Sequence, residues 1–566
     1  MTRTERSPRP RQPTTVALLL VLSTLLAACS AADEREAPQS PASPSAATTA
    51  TTPPPTGGPT PSAAPAAPAL GSLGVASGHP LASRAGMEVL EQGGNAVDAA
   101  VATAFADAVL TPSASGIGGG GVALVASDGV ATNYDYRDVV NRSGDVPEDG
   151  AGIPGFVAGM GRLHADHGSL PWEDLLEPAI QLARAGSPVS CFLATAIDTG
   201  SGQRATGDLP QFQRESGASL DEGDLLVQEE LADTMGVIAQ DGPAAVYSGA
   251  LVPALADVPG LDAESLAAYE VEVAAPAAGP VGEYTMLSAA PPHPGAAIIQ
   301  MVQIAEAGGI ASTAPGSAEF VDLQTRAWQV AESSVQETIG DPAFVDVPVA
   351  ELTDPERNAA IAADLATAPQ TSSDDSSGSS EAGNTTHISV VDAGGRAVSM
   401  TNTITNYWGS GRHVLGFFVN DSLERFNDIG DEDTNVPAPG RRSVTWSSPT
   451  MLLDDQDRPV LVVGTPGGRQ IPNVIAAVVT RWALHGEDLA LVVPADRFFH
   501  DDDGVINLES PALTDPLAEL GWDVQILPES DRTRFGSVQA LAVDWDTGQV
   551  SGVADTRRSA GVEIAE

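Results

Sequence analysis

The sequence predicts a mixed α/β (α+β) fold, and three observations carry that prediction. From Leu70 onward, stretches with helical spacing alternate with short runs of strand type. Glycine, proline and asparagine punctuate the changes between them. The chain has 566 residues, 42% of them hydrophobic, enough to bury a large core.

The ends of the chain read as processing and tethering segments. Arg3, Arg6, Arg9 and Arg11 form a positive head before the apolar run from Val16 to Ala28. That run is shorter than the about 20 residues a bilayer span needs, and it suits a secretory signal. Leu26-Ala27-Ala28-Cys29 resembles a lipobox, which implies removal of residues 1–28 and lipidation of Cys29 at the cell surface. Residues 29–69 are rich in Pro, Ser, Thr and Ala, and Ser30 to Ala69 holds no aromatic residue, Val, Ile, Leu or Met. Such a stretch cannot offset its ordering entropy by burial, so it is expected to be a disordered tether.

In the body, Leu81 to Gln92 reads as a helix stopped by Gly93-Gly94, and Asn95 is placed to cap a second one. That second helix, Ala96 to Leu110, carries Val97, Val101, Phe105 and Ala108 on one apolar face. Gly116 to Gly121 then leads into a buried strand at Val122 to Val125. The run contains G-x-G-x-x-G, but a dinucleotide site needs a strand before the glycines and a helix after them. Here the order is reversed, which excludes it.

Gly155 to Gly186 is mostly helical in pattern, and its His164 and His167 are expected to face solvent rather than a metal. Cys191, within Val189 to Ala194, reads as a small buried hydrophobe. Residues 366–384 form a polar break, read as a flexible linker. Directly after it, Thr386 to Val391 alternates as a strand, Asp392 to Gly395 is turn chemistry, and Ala397 to Ile404 is a second strand. A polar arm running into a threonine that opens a hairpin is the arrangement expected at a self-cleavage site. Asp501-Asp502-Asp503 lacks calcium-loop spacing and reads as a solvated acidic turn.

Composition removes several function classes. Acidic residues number 75 against 27 basic ones, for a net charge of −48, and every basic side chain is arginine. That balance repels nucleic acid, whose binding rests on neutralised phosphates. The missing lysine excludes a P-loop, a Schiff-base lysine and Ser-x-x-Lys acylation. The two cysteines, Cys29 and Cys191, exclude a disulfide framework and a cysteine zinc site. No G-x-S-x-G elbow or H-E-x-x-H motif is present.

Four segments in register then resemble one family. Asn384-Thr385-Thr386-His387-Ile388-Ser389-Val390-Val391-Asp392 is similar to the maturation site of the γ-glutamyltranspeptidases, which are N-terminal-nucleophile hydrolases. Gly78-His79-Pro80-Leu81-Ala82 with Gly93 to Ala100, Ser115 to Gly121 before Tyr136-Arg137, and Gly464-Thr465-Pro466-Gly467-Gly468 match in the same order. The resemblance spans about Gly74 to Arg557. It implies a four-layer αββα sandwich made from one precursor, with a large part 70–384 and a small catalytic part 385–566 held together as a heterodimer. It implies no metal or organic cofactor, and a small amide or peptide as substrate.

Residue by residue, the resemblance implies cleavage between Asn384 and Thr385, with Thr385 as nucleophile. Freed by the cut, its own α-amine would have a reference pKa of about 7.7–8.0, suited to a general base. Thr403 matches the threonine that orients the nucleophile, and Gly467 and Gly468 match the backbone donors of an oxyanion site. Arg137 matches the arginine that grips the donor α-carboxylate.

Other pocket positions depart from the family. Its two carboxylate-binding serines align with Thr445 and Trp446, its asparagine with Thr405, and its glutamine or glutamate with Ser422. The aspartate that pairs with the substrate ammonium aligns with Arg425. Asn406, next to Thr405, is an alternative amide. Glu424, if the segment is an extended strand, points away. The expectation is kept catalytic machinery with altered donor recognition, either for γ-glutamyl amides or for glutaryl-like amides without a free α-amine. A different class, an uncut surface-binding lipoprotein, stays open at this point.

Overall fold

In the computed structural model, residues 69–366, 384–430 and 433–566 are described. The expected leader, Cys29, nearly all of the tether and most of the 366–384 linker lie outside the described residues.

Local chemistry starts the first two helices as expected. Pro80 opens the helix Pro80–Glu91, and the His79 ring accepts from the Leu81 N–H at 3.2 Å. Asn95 caps Ala96–Leu110 and Asp98 answers its backbone, a reciprocal capping box. The expected one-sided apolar face is corrected, because all fifteen residues of this helix are buried. It packs against Pro80–Glu91 and Trp172–Ala185 as well as against the strands Asn384–Val391 and Ala397–Thr405, so no side is left for solvent.

Two antiparallel sheets form the centre. The first runs, edge to edge, Gly561–Ala565, Leu73–Ser77, Asn384–Val391, Ala397–Thr405, Gly120–Ser127, Val130–Asp135 and Glu272–Ala274. The second runs Gln549–Gly552, Gln539–Asp544, Pro459–Gly464, Thr450–Leu453, Tyr284–Ser288 and Ala277–Val281. Strand alternation sorts their side chains into three apolar layers. Ile388, Val390, Val398 and Met400 join the helix Ala96–Leu110 in one core. Leu452, Leu461 and Val463 join the helices Gly295–Ala307, Ala318–Thr338 and Ile471–Val479 in another. Leu124, Val391, Ala397, Met451, Val462 and Leu541 fill the space between the sheets. Helices, sheet, sheet and helices make the four-layer sandwich.

Three smaller expectations change. Cys191 is exposed at the start of the helix Cys191–Asp198 rather than buried. His164 and His167 are half-buried and hydrogen-bonded, to the Leu170 carbonyl and the Tyr134 hydroxyl, each at 2.8 Å. The segment carrying Ser422, Glu424 and Arg425 is helical, a 3₁₀ turn Ser422–Glu424 running into Arg425–Asp428.

Candidate active site

The hairpin that carries Thr385 lies inside the first sheet. The strand Asn384–Val391 is flanked by Leu73–Ser77 and Ala397–Thr405. Because side chains alternate, Thr385, His387, Ser389 and Val391 all face the second sheet, and so do Thr403, Thr401, Ser399 and Ala397. The gap between the sheets is apolar at Val391 and Ala397 and polar in the middle. Its open end holds Thr385 and Thr403.

A bulge brings these two hydroxyls together. The register shifts between Asn402 and Thr405, so Thr403 and Ile404 together oppose Thr385. Thr405 takes φ 84°, a left-handed value that a β-branched residue adopts only under constraint. Its N–H donates to the Thr403 hydroxyl at 2.8 Å. Thr403 in turn donates to the Asn384 carbonyl at 2.7 Å and receives the Thr385 hydroxyl at 3.4 Å. One hydroxyl thus touches both partners of the expected cleavage, the attacking oxygen and the carbonyl to be attacked.

The Asn384 side chain is fixed at the same point. Its amide oxygen accepts from the Thr385 N–H and from Arg558 Nη1, each at 3.1 Å, and its amide nitrogen donates to the Ser113 carbonyl at 3.2 Å. The glycine run backs this corner. A Cβ on Gly119 would stand 2.2 Å from the Thr403 carbonyl oxygen, so only glycine lets the chain pass. That is the role of a run the sequence singled out without explaining.

Thr385 opens on a pocket lined by Thr403, Thr405, Arg425, Thr445, Trp446 and Gly468, with Ser447 and Ile471 completing the wall. Six of the expected residues therefore gather round the nucleophile candidate. Ser447 and Ile471 were missed, since neither stands out from ordinary core residues in the sequence. Gly467 and Gly468 have φ 142° and 60°, values suited to glycine, and begin the 3₁₀ turn Gly468–Gln470. No backbone carbonyl among the described residues accepts from either N–H, as expected at a helix start.

Arg137 is fully buried behind this wall, and its guanidinium donates to the Ser443 hydroxyl at 3.1 Å and carbonyl at 3.3 Å. Burial dominates its neighbour Asp138, pushing that carboxyl up to about 7 although Arg137 pulls the other way. Ser422 is likewise buried off the pocket wall, donating to Asn420 at 2.9 Å. The arginine on the wall is Arg425. Its guanidinium donates to the Asn406 amide oxygen at 2.7 Å and to Asp428 at 2.8 Å. Asn406 passes its own amide protons to Asp421 at 2.8 Å and Glu424 at 3.1 Å. Burial pushes the Asp421 carboxyl up to about 6.

A helix-clad double sheet whose open end holds two hydrogen-bonded threonine hydroxyls, one of them bound to the Asn384 carbonyl, defines the candidate site. Residues 82–565 match the family model described as gamma-glutamyltranspeptidase. The chain belongs to the γ-glutamyltranspeptidase family of hydrolases and transferases. It is 32% identical to the capsule biosynthesis protein CapD proenzyme of Bacillus anthracis, over 86% of this chain and 90% of that one. It is 34% identical to the acylase ACY 1 proenzyme of Pseudomonas sp. (strain SE83), covering 86% and 92%. With the glutathione hydrolase proenzyme of Escherichia coli (strain K12) the identity is 30%, covering 85% and 90%. The cephalosporin acylase structure from Bacillus halodurans superposes with a TM-score of 0.78 at 23% identity, over 90% of this chain and 98% of that one, and shares the fold.

Proposed function

We propose that this chain is a precursor that cuts itself before Thr385 and then works as a threonine amide hydrolase or acyltransferase. The observation that carries this is the Thr403 hydroxyl bound at once to the Thr385 hydroxyl and the Asn384 carbonyl. In the cut, Thr385 Oγ bonds to the Asn384 carbonyl carbon and the Thr385 nitrogen leaves with a proton. Water then opens the resulting ester, giving an Asn384 carboxylate and a free Thr385 α-amine. In turnover that amine takes the hydroxyl proton, and Oγ attacks the donor amide while the Gly467 and Gly468 N–H groups hold the oxyanion. The proton passes to the leaving amine, and water or an acceptor amine releases the acyl group. The relatives named as proenzymes support this reading.

The test is a denaturing gel with N-terminal sequencing. The native chain should give two polypeptides, the smaller beginning at Thr385, and Thr385→Ala should stay uncut and inactive. An uncut chain with full activity would overturn the proposal.

Arg425 favours donors whose acyl chain lacks a free α-amine. At a separation of about 4–5 Å and an effective dielectric of about 20, two like charges cost about 3–4 kcal/mol. A carboxylate or a neutral acylated amine avoids that cost. A glutaryl anilide should therefore exceed its γ-glutamyl counterpart in kcat/KM by about tenfold or more, and the opposite order would refute this donor assignment. The leader and Cys29 support a lipid-anchored extracytoplasmic location, testable by loss of membrane association in Cys29→Ser. No described helix is long and apolar enough to cross a membrane.

A further inference from the structure

The Gly467-Gly468 pair has no side chain with which to fix its own direction. The first side chain after it belongs to Arg469, which turns back into the protein. Its Nε lies 2.7 Å from Glu332 Oε1 and 2.7 Å from Asp502 Oδ1, and its Nη2 also meets Glu332. Nη1 donates to the His500 carbonyl at 2.6 Å. The guanidinium lies 5.6 Å from the Trp328 ring centre, and that ring is 5.9 Å from Trp446, a wall of the pocket. The Arg469 side chain is 11% exposed and that of Glu332 18%.

Arg469 thus bridges two largely buried carboxylates on different elements. Glu332 sits on the helix Ala318–Thr338, before the expected cut, whereas Asp502 lies after it. Deleting the Arg469 cation would remove the ionic bridge that ties this loop to Glu332 and Asp502 and free the loop to turn.

We propose that Arg469, clamped by Glu332 and Asp502, is the positioning residue that sets the direction of the Gly467 and Gly468 N–H groups. The Glu332–Arg469 pair is then the large part's hold on the oxyanion site of the small part. This rests on Thr385 being the nucleophile. Self-cleavage does not call on the clamp, because the Asn384 carbonyl is held by Thr403. Cutting and turnover should therefore respond differently to its loss.

The experiment compares Arg469→Gln, Glu332→Gln and the conservative Arg469→Lys with the unaltered full chain. It measures the extent of cutting, the melting temperature, and kcat and KM on whichever of glutaryl- and γ-glutamyl-p-nitroanilide the unaltered protein turns over faster. The clamp predicts normal cutting, kcat lowered about 10- to 100-fold, and KM within about threefold, because an interaction made mainly in the transition state is lost. Arg469→Lys should recover part of kcat. Unchanged kcat in folded, cut variants would overturn the proposal, as would a raised KM at constant kcat or loss of cutting in parallel with turnover. If Arg469→Gln does not fold, Glu332→Gln and Arg469→Lys decide between these outcomes. Thr385→Ala run alongside separates the two levels: activity surviving there refutes the nucleophile, whatever the clamp variants do.

Discussion

Arg425 lies on the wall of the Thr385 pocket, and its surroundings explain how a cation is tolerated there. Asp428 faces it, and Asn406 relays it to Asp421 and Glu424. That an arginine sits in this pocket was legible in the sequence. The helical turn that carries it was not, and the extended-strand reading sent Glu424 the wrong way. Tertiary contacts with Asn406, 18 to 19 positions earlier, decide that conformation. Arg425→Asp should raise kcat/KM for the γ-glutamyl anilide about tenfold or more and lower it for the glutaryl one, read directly by initial rates. No change in preference would remove Arg425 from donor selection. For Arg137, the contacts with Ser443 that fix its guanidinium lie 306 positions away and could not be read from the motif alone.

At the level of elements, the hairpin from Asn384 to Thr405 was readable from alternation and turn chemistry, and so was the cap on Ala96–Leu110. Period two alone cannot tell which face of a doubly covered strand meets which neighbour, so the polar seam between the sheets went unseen. His387 lies fully buried in that seam, with Nδ1 2.8 Å from the Thr401 hydroxyl and Nε2 3.2 Å from Ser389. Ser389 continues to the Gln539 carbonyl and Ser399 to the Val463 carbonyl, both on the second sheet. Burial lowers the His387 pKa to about 3. The folded state therefore holds this ring neutral, while the unfolded chain protonates it near the ordinary 6.5. Its contribution is complete above pH 6.5 and is lost as pH falls toward about 3, at up to about 1.4 kcal/mol per pH unit. Denaturant titrations from pH 7 to 4 should show this fall, and His387→Gln should flatten it. An identical slope in that variant would show that other groups carry the acid sensitivity.

Over the whole molecule, the sandwich is interleaved across the expected cut. In the first sheet, the strands beginning at Leu73, Gly120, Val130 and Glu272 precede it, while those beginning at Asn384, Ala397 and Gly561 follow or span it. The second sheet takes its strands at Ala277 and Tyr284 from before the cut and four from after it. The family resemblance carried this architecture, whereas composition and periodicity reached only a mixed α/β class. The reason is physical: strand order is set by pairings hundreds of residues apart, such as Leu73 with Ala565, which no local window contains.

That interleaving gives the polypeptide a direction in time. Before scission, both halves are tied at one point and fold as a single chain, so their mutual search costs little. Afterwards each fragment owns only part of either sheet, and strands such as Leu73–Ser77 would lose both neighbours on dissociation. Reassembly would become a bimolecular encounter between sticky, incomplete pieces. Maturation of this kind arms the molecule and, in the same stroke, removes its way back from denaturation.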